Sequence, residues 1–221
     1  MVLARRAGKL ADVPPFEVPP VRVVRTGFFT RDDLNDVLHH LPHYLRPVVL
    51  FAYLTGWRKR EILTLTWAQV DMDAGIIRLE PGTTKNDEGR EIPFRALPEL
   101  DALVHEQRER TKRVQRTMGA IVPTVFHRKG RPIKEPRNAW NRACIKAGNP
   151  GAWFHDLRRS AVRNMERAGV SRSVAMKVTG HKTESIYKRY AIADVVSLEE
   201  GLKKLAGLDA TSGPSATAQK G

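Results

Sequence analysis

Apolar and polar positions along this chain sort into short helical segments, interrupted once by strand-like stretches. Thr30, followed three residues later by Asp33, predicts an N-terminal cap for a helix that Pro42 stops at about Leu41. A second helix is predicted over 44–55, strongly apolar at Val48, Leu50, Phe51 and Leu54 and closed by Gly56. Residues 58–65 read as a short helix leading into a strand. The run 75–80, a turn at 86–89 and the run 90–94 read as a hairpin. From residue 98 onward the pattern is mostly helical, over about 98–117, 135–147, 155–168, 171–178, 184–190 and 194–206, with Gly148 and Gly169 as terminators. Two of these segments carry apolar stripes: Leu157, Ala161, Met165 and Ala168 in one, and Val195, Leu198, Leu202 and Leu205 in the other.

The ends read differently. Residues 1–25 hold prolines at 14, 15, 19 and 20, which disfavour helix interiors and central strands, and are expected to form an extended arm or linker. Residues 208–221 are small and polar and are expected to be disordered. That leaves one domain over 26–207, with no internal repeat. A helix-rich chain with one small antiparallel sheet is α+β, not a parallel doubly wound fold.

Composition narrows the class. With 41% hydrophobic and 28% charged residues the chain is globular, not a disordered polycation. The formal charge is +14, and its distribution matters more than its total. Residues 1–104 carry 14 basic and 14 acidic side chains, residues 105–190 carry 21 and 6, and residues 191–221 carry 3 and 4. A surplus confined to one stretch attracts a polyanion and favours phosphate contacts that release counterions. No basic amphipathic helix with a bulky aromatic face offers itself to an anionic membrane. The expected partner is therefore nucleic acid. A lone Cys144 excludes an internal disulfide framework and suits a small buried hydrophobe. No apolar run approaches the roughly 20 residues that span a bilayer, and the N-terminus lacks the apolar stretch of a signal peptide. A cytoplasmic, DNA-associated protein is expected.

Candidate chemistry is restricted by what is missing. His39, His40 and His43 are close in sequence, but Pro42 breaks the helix that would align them, and there is no cysteine pair or His-Glu-x-x-His. Carboxylates do not cluster as two-metal catalysis requires. Neither a metal nor another cofactor is expected. Metal-free phosphoryl chemistry needs a nucleophile, cationic donors for the nonbridging oxygens and an acid for the leaving oxygen. His155 and Arg158, three residues apart on a predicted helix, share a face and offer two of these. The pair alone is weak, since His43 with Arg46 and His105 with Arg108 repeat it. Context separates the third pair. Arg58 and Glu61 stand where an apolar helix ends, Lys85 at a hairpin tip, His155 and Arg158 at a helix start, and Gly180-His181 nine residues before Tyr190. Each has a structural reading of its own; the ordered set is hard to produce by chance.

The motifs Thr-Gly-Trp-Arg-x-x-Glu (55–61), Thr-Lys-Asn (84–86), His-Asp-Leu-Arg-Arg (155–159), Gly-His-Lys-Thr (180–183) and Tyr-Lys-Arg-Tyr (187–190) resemble the catalytic domain of the tyrosine recombinases, the phage integrase family. The resemblance covers roughly residues 26–200, and the stretch 125–134 with Ala139-Trp140 resembles the connecting region of its phage branch. It implies a mainly helical catalytic domain with a small three-stranded antiparallel sheet. It also implies site-specific cutting and rejoining of DNA without a metal. Tyr190 would be the nucleophile, forming a 3′-phosphotyrosyl link and releasing a 5′-hydroxyl. Arg58 and Arg158 would clamp the scissile phosphate, where planar bidentate donors suit the developing charge. Lys85 would protonate the leaving oxygen, His155 would exchange a proton with Tyr190, and His181 would donate a hydrogen bond to the phosphate. Glu61 would orient its neighbours. Tyr187, a competing nucleophile on nearly the same helical face, is expected to pack instead. Arg128, Lys129, Arg131, Lys134, Arg159 and Lys182 are candidate DNA contacts.

The implied partners are double-stranded DNA, further copies of the chain assembling into a tetramer on two DNA sites, and accessory DNA-bending proteins. Family members carry a helical core-binding domain ahead of this one, whereas about 25 proline-rich residues precede it here, so a truncated or separately made catalytic half is expected. Three other readings compete: a catalytically silent DNA-binding relative, a type IB topoisomerase-like relaxing enzyme, and a basic RNA-binding protein. The last has no need of the ordered Arg, Lys, His and Tyr set.

Overall fold

The computed structural model describes residues 27–79 and 89–188 together with positions 8, 190, 202 and 203. The arm 1–25 apart from Gly8, Lys85 with most of the hairpin turn, the predicted helix 194–206 apart from Leu202 and Lys203, and the tail 208–221 lie outside the described residues.

Local chemistry accounts for most element boundaries. Helix α1 (Arg31–His40) starts with a reciprocal cap: Asp33 N–H donates to Thr30 Oγ1, while Asp33 Oδ2 accepts from the Thr30 backbone N–H at 2.8 Å. Helix α2 (Arg46–Thr55) begins two residues later than the periodicity predicts, with Pro47 in its first turn where a missing N–H costs nothing. It ends at Gly56 in the left-handed region, φ 67°. Helix α3 (Lys59–Thr64) follows directly. Strands β1 (Val70–Asp71), β2 (Ile76–Leu79) and β3 (Arg90–Pro93) form an antiparallel sheet in that order. Val70 and Ile92 both lie opposite Ile77, so the three apolar side chains sit in one row.

Helix α4 (Pro98–Met118) crosses to a second hairpin, β4 (His127–Arg128) and β5 (Arg131–Pro132), then come α5 (Arg137–Lys146), α6 (Asp156–Arg167), α7 (Arg172–Thr179) and α8 (Glu184–Lys188). The mostly helical reading beyond residue 98 misses this hairpin, because two-residue strands are too short to show alternation. His127 anchors it: the ring is buried, with Nε2 3.0 Å from Thr111 Oγ1 on α4, and Nδ1 accepts from the Gly130 N–H.

One core holds the elements together. Leu34, Phe51, Trp57, Ile62, Ile77, Phe94, Phe126 and Leu157 are all but inaccessible, each worth about 1.5–3 kcal/mol relative to an exposed side chain. Helix α2 packs chiefly on α6, and α1 on α5. A smaller cluster of Val162, Ala175 and Tyr187, with Met165, Met176 and Tyr190 against it, ties α8 to α6 and α7. Cys144 is buried, and burial pushes its thiol up to about 12. No helix among the described residues is long and apolar enough to cross a membrane.

Candidate active site

Arg158 is the centre around which the other groups gather. It lies in the first turn of α6 and is buried, and its Nη1 donates to the carbonyls of Gly56 (2.6 Å) and Thr179. Those carbonyls close α2 and α7, so a buried cation faces the negative ends of two helices. Burial lowers the guanidinium to about 10, with the Arg58 charge adding to the effect, and it stays charged at neutral pH. Gly56 owes its identity to this convergence. Beyond its positive φ, a Cβ there would meet the Thr179 methyl at 3.0 Å and the Ala161 Cβ at 3.1 Å.

Arg58 stands at the start of α3, half-buried, with Nη1 2.9 Å from Glu61 Oε1 and Nη2 3.5 Å from the Gly180 carbonyl. Glu61 also accepts from the Arg58 backbone N–H at 2.9 Å, and its second oxygen forms a close pair with Arg90 Nη2. Burial alone would raise the Glu61 carboxyl; the Arg90 charge and the Arg58 hydrogen bonds outweigh it and hold the group below its ordinary value. Arg90 is the site residue that sequence reasoning missed. Its guanidinium is buried against the Trp57 ring, 4.7 Å from the ring centroid, and a Cβ on Gly180 would run into it. A signal existed: Arg90 and Ile92 share a face of β3, and Ile92 is buried, so the alternation places a cation on the core side.

His181 follows Gly180, which caps α7 at φ 71°. Its ring is buried, with Nδ1 2.7 Å from Thr179 Oγ1. Burial, then the charges of Arg158 and Arg58, hold the imidazole down at about 3. Tyr190 lies against this ring, with centroids 4.8 Å apart, and its hydroxyl is 2.9 Å from His155 Nε2. His155 sits at the exposed rim just before α6; partial desolvation, then Arg158 and Arg159, keep it below its ordinary value. The guanidinium carbons of Arg159 and Arg158 lie 5.4 and 5.9 Å from the centroid of the Tyr190 ring. Tyr187 also packs on the His181 ring, but its hydroxyl is placed differently. It is fully buried, its hydroxyl donates to Glu166 at 2.9 Å, and burial with that bond drives its pKa upward.

Arg58, Glu61, His155, Arg158, His181 and Tyr190 are thus brought together from α3, α6, α7 and the segment after α8. Lys85 is outside the described residues. Of the other candidates, Arg159 joins the group beside the Tyr190 ring and the rest are dispersed. Arg128, Lys129, Arg131 and Lys134 are exposed on or beside the β4–β5 hairpin, Lys182 is exposed after His181, and Arg159 stays within 3.9 Å of Asp156. The other two His-x-x-Arg pairs serve structure: Arg46 donates to the carbonyls of His39 and Leu41, and His105 lies edge-on to Phe94. A cleft of about 540 Å³ opens beside His155 and Arg158, lined also by Trp57, Lys59, Arg137, Trp140 and Trp153. Its rim is cationic and aromatic, the combination that binds phosphodiester chains.

Comparison with known proteins shows the family and the fold. Residues 28–195 match the model of the phage integrase family, a span that includes every position of the cluster. The integrase of Salmonella phage P22 is 26% identical over 227 residues, covering 98% of this chain and 57% of the relative. The chain therefore spans a little over half the length of that protein. Among solved structures, the catalytic domain of bacteriophage HP1 integrase matches with a TM-score of 0.55 at 22% identity, over 81% of this chain and 95% of that one. A lambda integrase dimer bound to a COC′ core site matches with a TM-score of 0.61 at 19% identity, over 84% and 68%. At these identities the structural likeness speaks for the fold, while the family match over three quarters of the sequence speaks for descent: the chain belongs to the phage integrase family of tyrosine recombinases and carries its catalytic domain.

Proposed function

We propose that the chain breaks and rejoins double-stranded DNA at specific sites through a phosphotyrosyl intermediate, with Tyr190 as nucleophile. The observation that carries the reading is the 2.9 Å contact between the Tyr190 hydroxyl and His155 Nε2, beside the guanidinium groups of Arg158 and Arg159. His155 is held below its ordinary pKa and is neutral near pH 7, so Nε2 is available to accept the phenolic proton. The Tyr190 oxygen then attacks phosphorus, and the bond to the 5′ oxygen breaks. Arg58 and Arg158 balance the charge on the nonbridging oxygens, and His181 donates to one of them. Lys85 protonates the leaving 5′ oxygen, which departs as a hydroxyl. The reverse sequence, with a different 5′-hydroxyl as attacker, joins a new strand. The scheme draws its positive charge from guanidinium groups, and among the described residues no three metal-ligating side chains stand together.

DNA is the substrate that fits the basic stretch 105–190, and the exposed cations at 128, 129, 131, 134 and 182 extend the charged surface beyond the site. Recombination also needs copies of the chain to meet on DNA. The apolar stripe Val195, Leu198, Leu202 and Leu205 that follows Tyr190 in the sequence would dock on a neighbouring copy. A nicked duplex that traps the covalent intermediate tests the reading. A protein–DNA adduct supports cleavage, and joining of two different duplexes separates a recombinase from a relaxing enzyme. Binding without adduct supports the silent relative.

A further inference from the structure

Nε2 of His181 is buried and meets no hydrogen-bond partner. The opposite nitrogen, Nδ1, is 2.7 Å from Thr179 Oγ1, a fully buried hydroxyl that also donates to the Ala175 carbonyl at 2.7 Å. A hydroxyl has one proton, so the two contacts fix the ring between two arrangements. With the proton on the Ala175 side, Nδ1 must carry the ring hydrogen, and Nε2 is a bare acceptor. With the hydroxyl turned to Nδ1, the ring hydrogen moves to Nε2, which becomes a donor. A doubly protonated ring is not available near neutral pH. Arg58, Arg90, Arg158 and His155 all face His181, the rings of Tyr187 and Tyr190 cover it, and burial reinforces the neutral form. The backbone of Thr179 is held by a separate contact, its carbonyl accepting from Arg158.

We infer that Thr179 is a positioning residue whose hydroxyl sets the tautomer of His181, so that Nε2 becomes a hydrogen-bond donor when a phosphate oxygen occupies the site. In the free protein the hydroxyl donates to Ala175 and the ring carries its hydrogen on Nδ1. When an oxyanion reaches Nε2, the hydroxyl rotates to Nδ1. The ring then releases one proton to solvent from Nδ1 and takes one up at Nε2, with no change in net charge. The inference rests on His181 as a phosphate donor, and its experiment reads the ring directly instead of through recombination.

The ¹⁵N shifts of the His181 ring distinguish the tautomers. They are to be measured in the free protein, with saturating inorganic sulfate, and with short duplex DNA in the Tyr190→Phe background. The expected result is Nδ1–H in the free protein and Nε2–H with sulfate or DNA. Thr179→Val keeps the shape and removes the hydroxyl; its free ring should lose the Nδ1–H preference, so the sulfate-linked change disappears. Adduct formation should fall, because the ring loses the contact that orients it. Thr179→Ser should restore both. The same tautomer with and without the oxyanion in the wild type, or an unaltered change in Thr179→Val, overturns the inference. A normal tautomer change without any adduct supports the role of Thr179 and counts against the phosphotyrosyl reading alone.

Discussion

The hydroxyl of Tyr190 lies 2.9 Å from Nε2 of His155, joining a residue just after α8 to one just before α6. Tyr187, one helical turn earlier, is buried in the small cluster beneath, and its hydroxyl donates to Glu166. The difference sets the first prediction. Tyr190→Phe should abolish the covalent adduct on a nicked duplex and leave DNA binding unchanged. Tyr187→Phe should retain the adduct and lose about 1 kcal/mol of stability with its hydrogen bond. Denaturing gels and urea unfolding of the two variants decide it; an adduct lost only with Tyr187 reverses the assignment.

Arg58 and Arg158 should separate by stability and not by rate. Replacing either with alanine should slow cleavage by roughly 10²–10³-fold, as for the loss of one oxyanion donor. Only Arg158→Ala leaves the Gly56 and Thr179 carbonyls buried without this donor, at about 1–3 kcal/mol for each unsatisfied group. Single-turnover cleavage with parallel thermal melts measures both. Equal melting temperatures for the two variants would contradict the buried-clamp geometry.

Protonation of His155 should stop its acceptance of the Tyr190 proton. Because the folded-state pKa is lowered, the neutral form persists to more acidic pH than in a free imidazole. Adduct formation should therefore rise with pH and level off below about 6.5, the ordinary histidine value. His155→Asn should remove this acid limb along with most of the rate. A plateau reached only well above the ordinary value would mean another group controls the profile.

The Glu61–Arg90 pair should make stability depend on acid. The folded-state pKa of Glu61 is lowered, so its contribution is present above the unfolded value of about 4.3 and is lost as pH falls through the folded one. Glu61→Gln should flatten that part of the stability curve. Arg90→Met, which leaves the buried carboxylate only its Arg58 contacts, should still lower the midpoint near neutral pH, at less than the roughly 3–5 kcal/mol of a fully unpaired buried charge. Urea unfolding between pH 3 and pH 7 tests both; an unchanged Arg90→Met midpoint would remove Arg90 from the support of the site.

Lys129 occupies the left-handed region, φ 51°, beside Gly130 in the β4–β5 turn, a place that Asn-Gly fills at lower cost. Lys129→Asn should stabilise the fold by up to about 1 kcal/mol. If the lysine is retained for phosphate, the same change should weaken DNA binding and reduce the salt slope by about 1. A stabilised variant with an unchanged salt slope would leave Lys129 out of the interface.

What the sequence determined by itself is what depends on near neighbours. The Thr30–Asp33 cap, the stops at Pro42 and Gly56, and the spacings inside the His-x-x-Arg and Gly-His motifs all arise within a few residues, where backbone sterics and side-chain reach act directly. The tertiary structure decided what depends on contacts across the chain. Arg158 finds the Gly56 carbonyl 102 residues away, Arg58 approaches the Gly180 carbonyl across 122, and Phe29 N–H donates to Ser160 across 131. Arg90 and Thr179 enter the site by the same route. One faces inward from a strand and the other ends a helix; alternation with Ile92 turns Arg90 toward the core, but no local spacing names its partners Glu61 and Trp57 or sets Thr179 apart from an ordinary helical threonine. Their roles exist only once the core has brought α2, α6, α7 and the sheet together, because hydrogen bonds and buried charges act over ångströms of space and not over intervals of sequence.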